Sequence, residues 1–285
     1  MPVSATRRRA LTTLTATLAT TLVTPRLARA AEGAAPRPRP LRQAHAHNDY
    51  LHPRPLRDAL AQGFTSVEAD VFLVGGDLLV AHTPAELDPT RTLRSLYLDP
   101  LLDRVRSHQG SVYPGWRGSL QLLVDIKADG VECYRELDRQ LRSYREMLSG
   151  YARGRVRRRA VTPVVSGDRA ARGPLAAQGH RYAFYDGRLD DLGGGAPASL
   201  IPLVSANWTQ TFGWRGVGPM PPVERERLRA LVGQAHGRGR RLRFWATPDA
   251  PGAAREALWR ELLDAGVDHL NTDDLAGLAR FLRSS

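Results

Sequence analysis

Between residues 41 and 285 the chain alternates eight short apolar runs with amphipathic or loop segments, and this alternation constrains the fold more than any other feature. The runs are read as strands opening at residues 41, 66, 120, 161, 182, 200, 242 and 267. Leu120 to Ile126 is nearly continuous in apolar residues, as suits a parallel strand buried on both faces. Helical periodicity is expected over 55–62, 99–107, 131–148, 169–178, 222–236, 253–265 and 274–282. Gly75-Gly76 turns the second strand into a hairpin return over 78–81. Eight strands separated by helices or loops predict an α/β fold, a single-domain (β/α)8 TIM barrel. A doubly wound sheet would favour a glycine-rich phosphate loop after its first strand, where this chain has His45-Ala46-His47-Asn48-Asp49.

The residues before that alternation read as an export leader. Arg7-Arg8-Arg9 precede a mild apolar run from Ala10 to Val23, and Ala28-Arg29-Ala30 supplies a small-x-small cleavage point. Arginines ahead of a weak apolar stretch indicate the twin-arginine route. Residues 1–30 are therefore expected to be removed, leaving a secreted or extracytoplasmic protein. Residues 31–40 form a Pro/Ala-rich lead-in, and 41–285 the barrel. At 42% hydrophobic and 25% charged, the chain is neither disordered, collagenous nor a multispan membrane protein. A single cysteine, Cys133, excludes an intramolecular disulfide framework and a cysteine-based zinc cage. The net charge of +12 suits anionic partners such as phospholipid headgroups. The basic run Arg153 to Arg159 has no interleaved aromatics, so it reads as a solvated connection and no nucleic-acid partner is expected. The chain is expected to be a monomer with peripheral membrane contact.

In such a barrel the chemistry sits at the C-terminal strand ends. There the sequence places His45, Ala46 and His47 on strand one, Glu68 and Asp70 on strand two, His82 on its hairpin return, and Asp125 and Lys127 on strand three. Strand seven carries Trp245, expected to touch substrate, and strand eight ends in Asn271-Thr272-Asp273. Because side chains alternate along a strand, Glu68 and Asp70 share one face, as do Asp125 and Lys127. If those faces line the mouth, three carboxylates converge and need a compensating charge. One hard divalent cation, Mg2+ or Ca2+, held by Glu68, Asp70 and Asp125 would supply it. Lys127 is the one lysine among 41 Lys+Arg residues, and its compact ammonium suits an anionic substrate oxygen.

These motifs together resemble the glycerophosphodiester phosphodiesterase superfamily, which includes phosphatidylinositol-specific phospholipase C-like barrels and sphingomyelinase D. The resemblance rests on His45-x-x-Asn48, Val67-Glu68-x-Asp70, Val80-Ala81-His82, Val124-Asp125-Ile126-Lys127, Phe244-Trp245 and Gly266-Val267-Asp268 to Thr272-Asp273, and covers about residues 41–280. The branch with a His-x-His-Asn-Asp-Tyr opening is the most similar. The resemblance implies metal-binding roles for Glu68, Asp70 and Asp125 and a phosphate-contacting role for Lys127. It also implies a histidine acid–base pair made of His82 with either His45 or His47. His45, at the strand end and three residues before Asn48, is the expected partner, with His47 beside the substrate phosphate. The implied activity is hydrolysis of a phosphoric diester, on a glycerophosphodiester or a phospholipid headgroup. The alternative is an inactive barrel that binds phospholipid headgroups or sugar phosphates.

Overall fold

The first strand pairs in parallel with both the second and the last, which closes the sheet into a barrel. The computed structural model describes residues 1–2 and 38–285; residues 3–37, with nearly all of the expected leader and lead-in, lie outside the described part. In chain order the strands are β1 (Leu41–Ala46), β2 (Phe64–Val74), β3 (Asp77–Val80), β4 (Leu120–Ile126), β5 (Gly150–Ala152), β6 (Arg155–Arg157), β7 (Val161–Gly167), β8 (His180–Arg181), β9 (Phe184–Gly187), β10 (Leu203–Asn207), β11 (Arg241–Trp245) and β12 (His269–Thr272). The barrel takes β1, β2, β4, β7, β9, β10, β11 and β12, all parallel, and β3 is the antiparallel return of β2. This is the (β/α)8 fold expected from the alternation.

The hydrophobic core lies mainly between the strands' outer faces and the surrounding helices. The helix Gly130–Ser143 illustrates why: Cys133, Tyr134, Leu137 and Leu141 form one buried stripe, while Arg135, Arg139 and Arg142 pair with acids on the outward face. Burying a leucine such as Leu137 contributes about 1.5–3 kcal/mol. The helical periodicity runs on to Leu148, yet the helix ends at Ser143. Met147 and Ser149 instead exchange backbone hydrogen bonds with Val161 at 3.0 and 2.7 Å, so tertiary pairing with β7 overrides the local pattern.

Inside the barrel the filling is unusual. Leu123, Val164, Phe184 and Leu203 make one small apolar layer of their own. The rest of the interior is polar, because bonds cross it from Arg243 to Glu68 and from Arg241 to Gln121. The basic run is not a plain connection: β5 and β6 form a hairpin about Arg153-Gly154, both with positive φ, and β8 joins its edge. A two-residue turn with Gly at its second position was the available signal.

Candidate active site

The loop after β1 shapes the mouth. Asn48 adopts the left-handed conformation that asparagine tolerates, φ 46°, which turns the chain sharply after His47. Asp49 anchors this loop from below, accepting from the Leu56 amide at 2.5 Å and the Tyr97 hydroxyl at 2.9 Å. Burial pushes the Asp49 carboxyl up to about 7.

That turn sends His45 and His47 to different places. His45 is fully buried, with Nδ1 at 2.7 Å from Ser66 Oγ and Nε2 at 3.0 Å from Glu68 Oε2 and 2.5 Å from Arg243 Nη1. Both ring nitrogens are engaged, so the expectation that His45 meets substrate finds no open face on it. His47 lies at the rim, its Nδ1 2.8 Å from Asp273 Oδ1 and its side chain 26% exposed. Burial alone would lower its pKa, but the Asp273 bond and the Glu68 and Asp273 charges raise it overall.

His82 repeats the rim arrangement. Its Nδ1 lies 3.1 Å from Asp70 Oδ2 and 3.0 Å from the Tyr50 hydroxyl, and half of its side chain is exposed. Tyr50 donates toward Asp70 Oδ2 at 2.5 Å and Asn48 Oδ1 at 2.8 Å, and Asn48 Nδ2 lies 3.1 Å from His47 Nδ1. Asn48 and Tyr50 thus join the two rim histidines, each of which keeps an Nε2 with no partner among the described residues.

The expected carboxylates also gather here. Asp70 and Asp125 stand side by side in the register of β2 and β4. The Lys127 ammonium ties them together, 2.6 Å from Asp70 Oδ2 and 3.2 Å from Asp125 Oδ1. Burial raises the Asp70 carboxyl, as does the Glu68 charge, while Lys127 and Tyr50 act against the rise. Burial would raise Glu68 as well, but the Arg243 guanidinium at 2.6 Å holds it well below the usual carboxylate range. Trp245 ends β11 at the rim, 36% exposed.

Among the described residues no three His, Cys, Asp or Glu side chains stand together as a finished metal cage. The donors nevertheless fit a hard cation. All are carboxylate oxygens, and Asp70 Oδ1 is buried without a hydrogen-bond partner. Arg243 and Lys127 partly neutralise the three acids, so a cation would have to share Asp70 and Asp125 with the Lys127 ammonium.

Several site residues escaped the sequence reading: Arg243, Tyr50, and Asp273 as the partner of His47. Arg243 was legible as the middle of the alternating Arg241-x-Arg243-x-Trp245, and Tyr50 as the end of the motif that begins at His45.

The buried histidines carry a pH consequence. Burial, then the Arg243 charge, pushes His45 down to about 4, and burial with Arg241 holds His269 well below its ordinary value. Both are therefore neutral in the fold and gain protons on unfolding. Their contribution to stability is complete above the unfolded pKa of 6.5 and is lost as pH falls below it, for His45 down to about 4. For His45 this amounts to about 3 kcal/mol. Melting temperatures taken from about pH 8 to about pH 4 should drop steeply below the unfolded histidine pKa, and a flat profile would contradict the buried neutral state.

The model of the AIM6-like phosphodiesterase domain matches residues 39–186. The chain belongs to the AIM6-like phosphodiesterase family. The model of the glycerophosphoryl diester phosphodiesterase family matches residues 241–276, the β11 to β12 segment. Among AIM6-like relatives, Altered inheritance of mitochondria protein 6 of Eremothecium gossypii is 32% identical, over 85% of this chain and 69% of the relative. The homolog from Arthroderma benhamiae is 30% identical over 81% of each chain. Two solved structures are also similar. The glycerophosphodiester phosphodiesterase of Agrobacterium tumefaciens is 17% identical, with 85% of this chain and 98% of that one covered and a TM-score of 0.47. The glycerophosphoryl diester phosphodiesterase of Parabacteroides distasonis is 15% identical, with 88% of each covered and a TM-score of 0.49.

Proposed function

We propose that this AIM6-like chain is a metal-dependent phosphoric diester hydrolase whose acid–base pair is His47 and His82. The observation that carries this reading is the matched setting of the two rim histidines. Each has Nδ1 against a carboxylate, Asp273 or Asp70, and each leaves Nε2 open. A carboxylate on Nδ1 fixes the tautomer and aims the other nitrogen outward.

Asp273 favours the protonated form of His47, so His47 gives its Nε2 proton to the leaving alkoxide. His82 takes the proton of the attacking water or of a neighbouring substrate hydroxyl at its own Nε2. Lys127 offers its ammonium to the non-bridging oxygens, where charge gathers in the transition state. A divalent cation, Mg2+ or Ca2+, held by Glu68, Asp70 and Asp125 supplies further neutralisation of that charge when bound. Trp245 forms an apolar wall at the rim, and His45 positions Glu68 rather than moving a proton to substrate.

The substrate is a glycerophosphodiester or a phospholipid headgroup. Leu51 and Val217, large and exposed like Trp245 and set on loops that follow C-terminal strand ends, support peripheral contact with a lipid surface. The Arg7-Arg8-Arg9 and Ala28-Arg29-Ala30 pattern supports export. The test is hydrolysis of a chromogenic bis-ester phosphate by the exported protein, before and after EDTA and after Mg2+ or Ca2+ is restored. Activity that EDTA abolishes and one of these ions restores is expected. Activity indifferent to EDTA would remove the metal, and binding of headgroups without any hydrolysis would leave an inactive barrel.

A further inference from the structure

The opposite end of the barrel holds a cavity. Its volume is about 390 Å³, and it is walled by the N-terminal ends of β4, β7, β9 and β11 and by the stretches before β5, β7 and β10. This end of such a barrel ordinarily serves stability, with chemistry confined to the other mouth.

Here it carries charge that the protein does not compensate. Arg241 lines the cavity and bonds only to neutral groups, Gln121 Oε1 at 2.7 Å and His269 Nε2 at 2.8 Å. Among the described residues no carboxylate lies within ion-pair distance of it, in contrast to Arg243 two residues on, which is paired with Glu68. Arg158 lines the same cavity with neither an ion pair nor a hydrogen bond among those residues, and the Ser199 hydroxyl there is equally free. Burial pushes Arg241 down to about 10 and the Arg158 charge pushes the same way, against more distant acids.

Arg241 is partly buried and Arg158 exposed, and two guanidinium groups facing one cavity with no carboxylate in ion-pair range make it a positive pocket that favours an anion. The alternation of the β6 hairpin arm sets this up. Arg155, Arg157 and Arg159 face a different surface cavity, while Val156 and Arg158 turn toward the barrel floor. Phe184 and Pro202 give the floor an apolar wall beside its donors.

We propose that the barrel floor is a binding site for a small, soluble organic phosphate, separate from the mouth. Two guanidinium groups and a serine hydroxyl match the several acceptor oxygens of a phosphoryl group, and the Phe184 and Pro202 side takes a short organic tail. Arg241 also ties through Gln121 and Ser66 to His45, at 2.7, 2.8 and 2.7 Å in turn, so its replacement would disturb the interior. Arg158 is exposed and has no such ties, which makes it the residue to change.

The experiment is calorimetric titration of the full chain with inorganic phosphate and with butyl phosphate. Lys127→Met, confirmed folded by its melting curve and titrated with EDTA present, silences the mouth; Lys127→Gln serves in its place if that variant does not fold. The silenced protein should still bind one equivalent of phosphate, and butyl phosphate more tightly. Adding Arg158→Ser should weaken this binding at least about tenfold without lowering the melting temperature. No saturable binding in the silenced protein, or binding that Arg158→Ser leaves unchanged, would overturn the proposal. Neither result depends on whether the mouth hydrolyses phosphodiesters.

Discussion

Alanine at His47 or at His82 should lower turnover of a chromogenic phosphodiester by about 10²–10⁴-fold while the fold survives. Both side chains sit at the rim, partly open to solvent, so their removal leaves no cavity in a packed interior. His45→Ala should do the reverse. It strips Glu68 and Ser66 of a buried partner and opens a void, so the melting temperature falls first and activity falls with it. The three variants, compared by melting curve and by rate, separate proton transfer from support. Full turnover in folded His47→Ala protein, with turnover lost in folded His45→Ala protein, would exchange the two roles. Asp273→Asn gives a finer reading. It keeps the shape beside His47 but removes the charge that favours the imidazolium, so the alkaline limb of the pH–rate profile, where His47 loses its proton, should move to lower pH.

The two histidines also mark how far the sequence could be read. The barrel and its closure followed from the apolar alternation, and the shared face of Asp70, Asp125 and Lys127 from period-two spacing within neighbouring parallel strands. Which of His45 and His47 faced the mouth did not follow. Period-two spacing puts them on one face only while the strand continues, and the strand ends at Ala46 with Asn48 turning left-handed. The sequence likewise gives no local sign that Asp273, more than two hundred residues away, would be the partner of His47. The hairpin over 150–157 was hidden for another reason: its arginine-rich strand is exposed on both faces, so no apolar alternation announces it.

Arg243 is the residue whose importance becomes visible only in the closed barrel, and its loss should have the largest effect on stability. It reaches across from β11 to Glu68 and to His45, with all three buried. Arg243→Met keeps most of the volume but leaves the Glu68 carboxylate with a neutral imidazole as its neighbour. Breaking a buried pair on one side costs about 3–5 kcal/mol, because the remaining charge has lost its compensation. In a domain of this size each kcal/mol lowers the melting temperature by about 2–4 °C, so a fall on the order of 10 °C is expected. Glu68→Gln in the same background removes the stranded charge and should restore part of the loss. The double-mutant cycle, measured with EDTA present so that no cation enters the balance, then isolates the pair. Additive effects of the two substitutions would mean that the Arg243–Glu68 contact contributes nothing specific, and the polar interior would have to be held by its remaining hydrogen bonds.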